Sequence, residues 1–187
     1  MRLADRLRDL PKPSWNRRPE LLLCSQVPQP LHGVAPRVVL GRKWWDEQRK
    51  AAYRRTDYCC AACGTPKCLA KPNPWLDAHE FFEIDYAKGR MKLIEIVALC
   101  GYCHEFIHCG RLRALMDQGK VSQQHYAAVI KHGNRVLASA GLSKPPVYNG
   151  KMAPWGRWRL RIGRKLYPPL YKSRAEWEAA MGNRDDE

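Results

Sequence analysis

Hydrophobic and polar positions change their period several times along the chain, and each change predicts an element. Residues 43–55 lack proline and glycine and place Trp45, Gln48, Ala52 and Tyr53 near helical spacing, which predicts a helix. Residues 75–86 (WLDAHEFFEIDY) are aromatic and partly alternating, the pattern of a strand. Ala87-Lys88-Gly89-Arg90 supplies a turn, and residues 91–99 (MKLIEIVAL), with β-branched Ile94, Ile96 and Val97, read as the returning strand. A helix follows over about 102–117, stopped near Gly119. Ser122 suits the N-cap of another that reaches about Ser139 and is loosened at Gly133-Asn134.

The flanks differ in character. Pro11, Pro13, Pro19, Pro28, Pro30 and Pro36 exclude long helices and central strands from the first forty residues, leaving an extended arm across the domain that Leu21-Leu22-Leu23 can anchor. After Gly141, Lys144-Pro145-Pro146 and Asn149-Gly150 mark a linker. Residues 155–171 then alternate aromatic or apolar residues with arginine, as in a short basic hairpin around Gly163, and a last helix spans about 173–181. The expected organisation is an arm over 1–42, a core with flanking helices over 43–141, and a basic, tryptophan-rich module over 142–187. No internal repeat is visible.

Composition narrows the class. Among 187 residues, 45% hydrophobic content with 7 Trp and 8 Tyr argues against wholesale disorder. Lys and Arg number 33 against 18 Asp and Glu, a formal charge of +15, which favours a polyanionic partner and most simply nucleic acid. Between residues 151 and 174 there are eight cations and no acid. Arg157, Arg159, Arg161, Arg164 and Lys165 are therefore candidates for nucleic-acid contact, the structural alternative being a strand pair docked on the core with a basic outer face. Residues 1–10 contain no apolar core of the length export requires, and no run approaches a membrane span, so the expectation is a cytoplasmic protein without membrane contact.

In a reducing compartment, cysteines spaced as Cys-x-x-Cys point to metal rather than to disulfides. Cys60/Cys63 and Cys100/Cys103, separated by 36 residues, can clamp one tetrahedral zinc ion, and four thiolates leave that site closed and structural. Gly64 suits the turn of such a knuckle, while Cys24, Cys68 and Cys109 read as small buried apolar residues. His104 and His108 follow the second pair one helical turn apart, on one face of a helix. A structural metal and, beside it, a second metal that does chemistry would together be a nuclease's equipment.

Here the chain resembles the HNH (ββα-metal) endonucleases. It carries Cys60-x-x-Cys63-Gly64, then Leu76-Asp77-Ala78-His79-Glu80, then Ala98-Leu99-Cys100-x-x-Cys103-His104-x-x-x-His108, a match over about residues 53–112. The resemblance implies an α+β fold, with a ββα-metal core beside the four-cysteine zinc site. It also implies hydrolysis of phosphodiesters in double-stranded DNA by a monomer or homodimer, and one catalytic divalent ion (Mn2+, Mg2+, Ni2+ or Zn2+) bound by His104 and His108. The first motif departs from the family. Either His79 is the third ligand and Glu80 the general base, or His79 is the base and the ligand position falls on Ala78, which cannot bind metal. Chemistry prefers the first, with Asp77 supporting a ligand. Glu95 stands where the family usually has asparagine, which keeps open a zinc-stabilised DNA-binding protein that no longer cuts.

Overall fold

The computed structural model describes residues 15–144 and 148–182. The arm's first prolines, Pro11 and Pro13, and the linker's Pro145 and Pro146 lie outside the described residues.

The centre of the molecule is a long hairpin. Strands β1 (Leu76–Asp85) and β2 (Arg90–Cys100) pair antiparallel, with His79 opposite Val97 and a register shift between Phe81 and Phe82. The turn is closed by the Lys88 backbone N–H, which donates to Asp85 Oδ1 at 2.9 Å. On the far side β3 (Arg159–Ile162) joins β2 in parallel, and β4 (Lys165–Tyr167) returns antiparallel after Gly163 at φ 58°, giving the order β1-β2-β3-β4. The C-terminal hairpin thus extends the central sheet.

Among the described residues, six helices surround this sheet: α1 (Pro36–Val39), α2 (Gly41–Arg55), α3 (Gly101–Ile107), α4 (Cys109–Asp117), α5 (Gln123–Ala138) and α6 (Arg174–Gly182). The expected helix over 102–117 is two helices. The backbone of His108 (φ −92°, ψ 28°) leaves helical geometry, so α4 sets off in a new direction from it. Ser122 caps α5 as expected, its Oγ accepting from the His125 N–H at 3.1 Å. Gly133, expected to loosen α5, lies within one continuous helix. A Cβ there would stand 2.1 Å from Phe106 Cδ2, so glycine permits close packing of α5 on α3.

Two apolar clusters hold these parts together. The larger joins Leu21 and Leu22 of the proline-rich segment to Val97, Leu99, Phe106 and Val129, all buried. The segment runs in short 3-10 turns and the four-residue helix α1 rather than as one extended arm, and its leucines belong to the core. The smaller cluster sets Trp158 and Leu160 against Leu31, Val34 and Met91. Each such buried side chain contributes about 1.5–3 kcal/mol. Among the described residues, no helix is long and apolar enough to cross a membrane. The architecture is α+β: a β-sheet flanked by helices, with a proline-rich N-terminal loop and a basic C-terminal hairpin and helix.

Candidate metal centre

The zinc knuckle is built by two turns brought to one place. Gly64 N–H donates to Cys60 O and Cys60 N–H to Thr65 O, both at 2.8 Å, which folds the first cysteine pair into a tight loop. Ala61 N–H donates to Ala98 O at 2.8 Å and docks that loop on β2. Cys100 ends β2 and Cys103 lies in the first turn of α3, so the strand-to-helix junction delivers the second pair. The four sulfurs lie within 4.8 Å of one another, and Cys63 and Cys100 are 3.7 Å apart. That spacing is too long for a disulfide. It equals the roughly 3.8 Å edge of a tetrahedron with Zn–S bonds of about 2.3 Å. Hydrogen bonding from Cys100, then Cys103, draws the Cys63 thiol below its ordinary pKa, whereas hydrogen bonding from Cys100, then Cys60, pushes Cys103 up, so without an ion the four sulfurs do not all give up their protons.

One residue at this site lies outside the motifs that the sequence displays. His132 Nε2 of α5 is 3.3 Å from Cys103 Sγ, placed to donate to a thiolate. Two turns earlier on the same helix, His125 Nε2 meets Glu105 Oε2 at 2.8 Å, and Tyr102 lies edge-on to both imidazoles. The i, i+7 spacing of His125 and His132 is the signal that could have found them. Of the remaining cysteines, Cys24 and Cys109 are partly buried, whereas Cys68 is exposed, contrary to expectation, in the 3-10 turn Lys67–Leu69.

Beside the knuckle, His79 of β1 faces His104 of α3 and His108 at the α3–α4 junction. Their ligand nitrogens lie within 4.8 Å, with ring centroids 4.9–5.3 Å apart and planes at 65–86° to one another. His79 is buried, and its Nε2 has no hydrogen-bond partner among the described residues. Burial, then the charges of His104 and His108, holds its pKa down to about 3. Partial desolvation, then His104 and Arg111, holds His108 down to about 4, although the residue is exposed. Both imidazoles are thereby kept neutral, as ligation requires. Asp77 Oδ2 lies 3.3 Å from His104 Nδ1, which leaves Nε2 of that ring for an ion. An unpartnered buried nitrogen in a cluster of three imidazoles fits a divalent cation.

A cleft of about 530 Å³ opens onto this cluster, lined by His79, Glu80, His108 and Arg111 on one side and by the strap around Gln26 and Gln29 on the other. Strand alternation sends Glu80 away from His79, yet both reach the cleft because β1 is the sheet's edge. Burial raises the Glu80 pKa above the usual carboxylate value. Glu95 is bonded by the guanidinium of Arg18 and lies 3.8 Å from Arg55 Nη2, so its carboxylate ties the N-terminal segment and α2 to the sheet. Of the basic candidates, Arg157, Arg161, Arg164 and Lys165 are exposed. Arg159 is half-buried and donates to Gly156 O and Trp158 O, both at 2.7 Å.

A hairpin followed by a helix, with a four-cysteine zinc-knuckle cluster and a separate three-histidine metal-binding cluster, is consistent with an HNH-like ββα-metal scaffold. The chain matches no family model, no curated protein and no solved structure.

Proposed function

We propose that the protein is a metal-dependent endonuclease that hydrolyses DNA phosphodiester bonds at the three-histidine centre. The observation that carries this reading is the convergence of His79, whose buried Nε2 is unpartnered among the described residues, with two further imidazoles beside an open cleft. A purely structural core has no use for a desolvated acceptor left unpaired at a cost of about 1–3 kcal/mol.

The convergence supports a ligand's role for His79, with His104 and His108, and gives Glu80 the base's role. A divalent ion held there supplies charge that offsets the charge building on the scissile phosphate and the leaving 3′ oxygen. Glu80, desolvated in the cleft wall, accepts a proton from the attacking water. Asp77 fixes the His104 ring, and the four cysteines hold the helix that carries His104 and His108, with a structural zinc as their ion. Imidazole ligation suits Mn2+, Ni2+ or Zn2+ better than Mg2+. Arg157, Arg161, Arg164 and Lys165 offer exposed charge to the phosphates of double-stranded DNA. One centre makes one cut, so breaking both strands takes two visits or a homodimer. The cytoplasm is where such a thiolate site stays reduced.

A second reading, a zinc-braced DNA-binding protein that does not cut, is favoured by one feature. Glu95 stands at the family's asparagine position and is engaged by Arg18 and Arg55. Supercoiled plasmid incubated with the protein and a panel of divalent ions separates the two. The nuclease nicks with at least one ion and loses nicking in His104→Ala and His108→Ala. Binding without nicking under every ion selects the second reading.

A further inference from the structure

We infer that Arg111 is a substrate-positioning residue that grips a phosphodiester of the bound DNA strand in the cleft beside the three-histidine centre. The inference rests on the nuclease reading and adds the group that holds the strand there.

Arg111 lines the cleft together with His79, Glu80 and His108, three residues beyond the last imidazole. Its side chain is exposed and has no carboxylate partner among the described residues. Arg113, on the same helix, is the contrast. Its Nε donates to Asp117 Oδ1 at 3.0 Å, and its guanidinium lies over the Tyr126 ring at 5.8 Å. Arg113 is thus satisfied within the fold, and Arg111 is not.

Arg111 also sits where a cation is unfavourable. It falls in the first turn of α4, a turn without an acidic residue, at the positive end of the helix dipole. No ion pair among the described residues engages this guanidinium, whereas a phosphate entering the cleft meets a planar, unpaired donor. Across the cleft the strap is fixed: Tyr86 Oη donates to Gln26 O at 2.7 Å, and His32 Nε2 lies 3.1 Å from Val27 O. From that strap, Gln26 Nε2 reaches to 3.7 Å from where a Cβ on Gly110 would stand. The strap therefore comes up to α4 beside Gly110 and bounds the cleft that Arg111 lines.

The test is binding of a fluorescent DNA duplex by the full chain without added divalent ion, as a salt series, for wild type, Arg111→Gln, Arg111→Lys and Arg113→Gln, alongside plasmid nicking. Arg111→Gln is expected to weaken binding roughly tenfold, the loss of one charge-assisted hydrogen bond. It should lower the salt slope by about one, which Arg111→Lys restores. Its thermal midpoint should equal or exceed that of wild type, and Arg113→Gln should bind as wild type does. Wild-type affinity and slope in Arg111→Gln would overturn the inference, even while the wild type nicks and the nuclease reading stands. Arg111-dependent binding by a wild type that never nicks would overturn the nuclease reading and leave the phosphate contact in place.

Discussion

His79 shows most directly how single residues trade stability for chemistry here. Its buried Nε2 lacks a partner among the described residues, so a leucine of similar size should relieve a desolvation cost of about 1–3 kcal/mol. His79→Leu is expected to melt above the wild type without added divalent ions, and to lose both ion binding at the three-histidine centre and nicking. A lower melting point would mean that the imidazole is satisfied in the folded chain. Glu95 is the opposite case. Its carboxylate, 27% exposed, is engaged by Arg18 and Arg55, so Glu95→Gln should cost about 0.5–1 kcal/mol in urea unfolding. Nicking should continue at the wild-type rate; its loss with folding intact would place Glu95 in the metal loop. The two cysteine pairs and His104/His108 are legible in the sequence, because local spacing encodes a shared helix face or a shared turn. The partners of Glu95 and Cys103 are not, since Arg18 and His132 arrive from distant segments.

At the scale of elements, the hairpin is readable because β1 alternates in part, β2 is rich in β-branched residues and a short turn lies between them, and the observed bounds fall within a residue of those expected. The break at His108 is not, because Gly110, a poor helix former two residues on, does not by itself say whether a helix bends, ends or continues there. Gly133 misleads for a related reason. In isolation a helical glycine is a weak point, and only its neighbour across the interface reveals the need for a missing side chain. Gly133→Ala gains helix propensity of about 1 kcal/mol. It also drives a methyl group to 2.1 Å from the Phe106 ring, and overpacking of this kind costs about 1–3 kcal/mol or more. Net destabilisation in urea unfolding is the expected outcome, with weaker zinc retention, since α3 carries Cys103 and α5 carries His132. A stabilised Gly133→Ala would show that the two helices stand further apart.

Over the whole molecule, the decisive long-range feature is the parallel pairing of β2 with β3, Arg90 opposite Arg159, which leaves no mark in the local sequence because it joins segments far apart in the chain. The pairing gives the C-terminal hairpin two unlike surfaces. Inward, Trp158 and Leu160 are fully buried against Leu31, Val34 and Met91, so Trp158→Ala should cost about 3–5 kcal/mol. Outward, Arg161, Arg164 and Lys165 are exposed and have no carboxylate partner among the described residues. Replacing these three by alanine removes charge without touching the apolar contacts, so the thermal midpoint should stay at the wild-type value. If they face DNA, each lost phosphate contact lowers the salt slope of duplex binding by about 0.9. The triple variant should then bind weakly and lose up to roughly three units of slope, while zinc content and fold persist. An unchanged slope would assign the cations to bulk solvent. The +15 charge of the chain would then act as a diffuse field rather than through this hairpin.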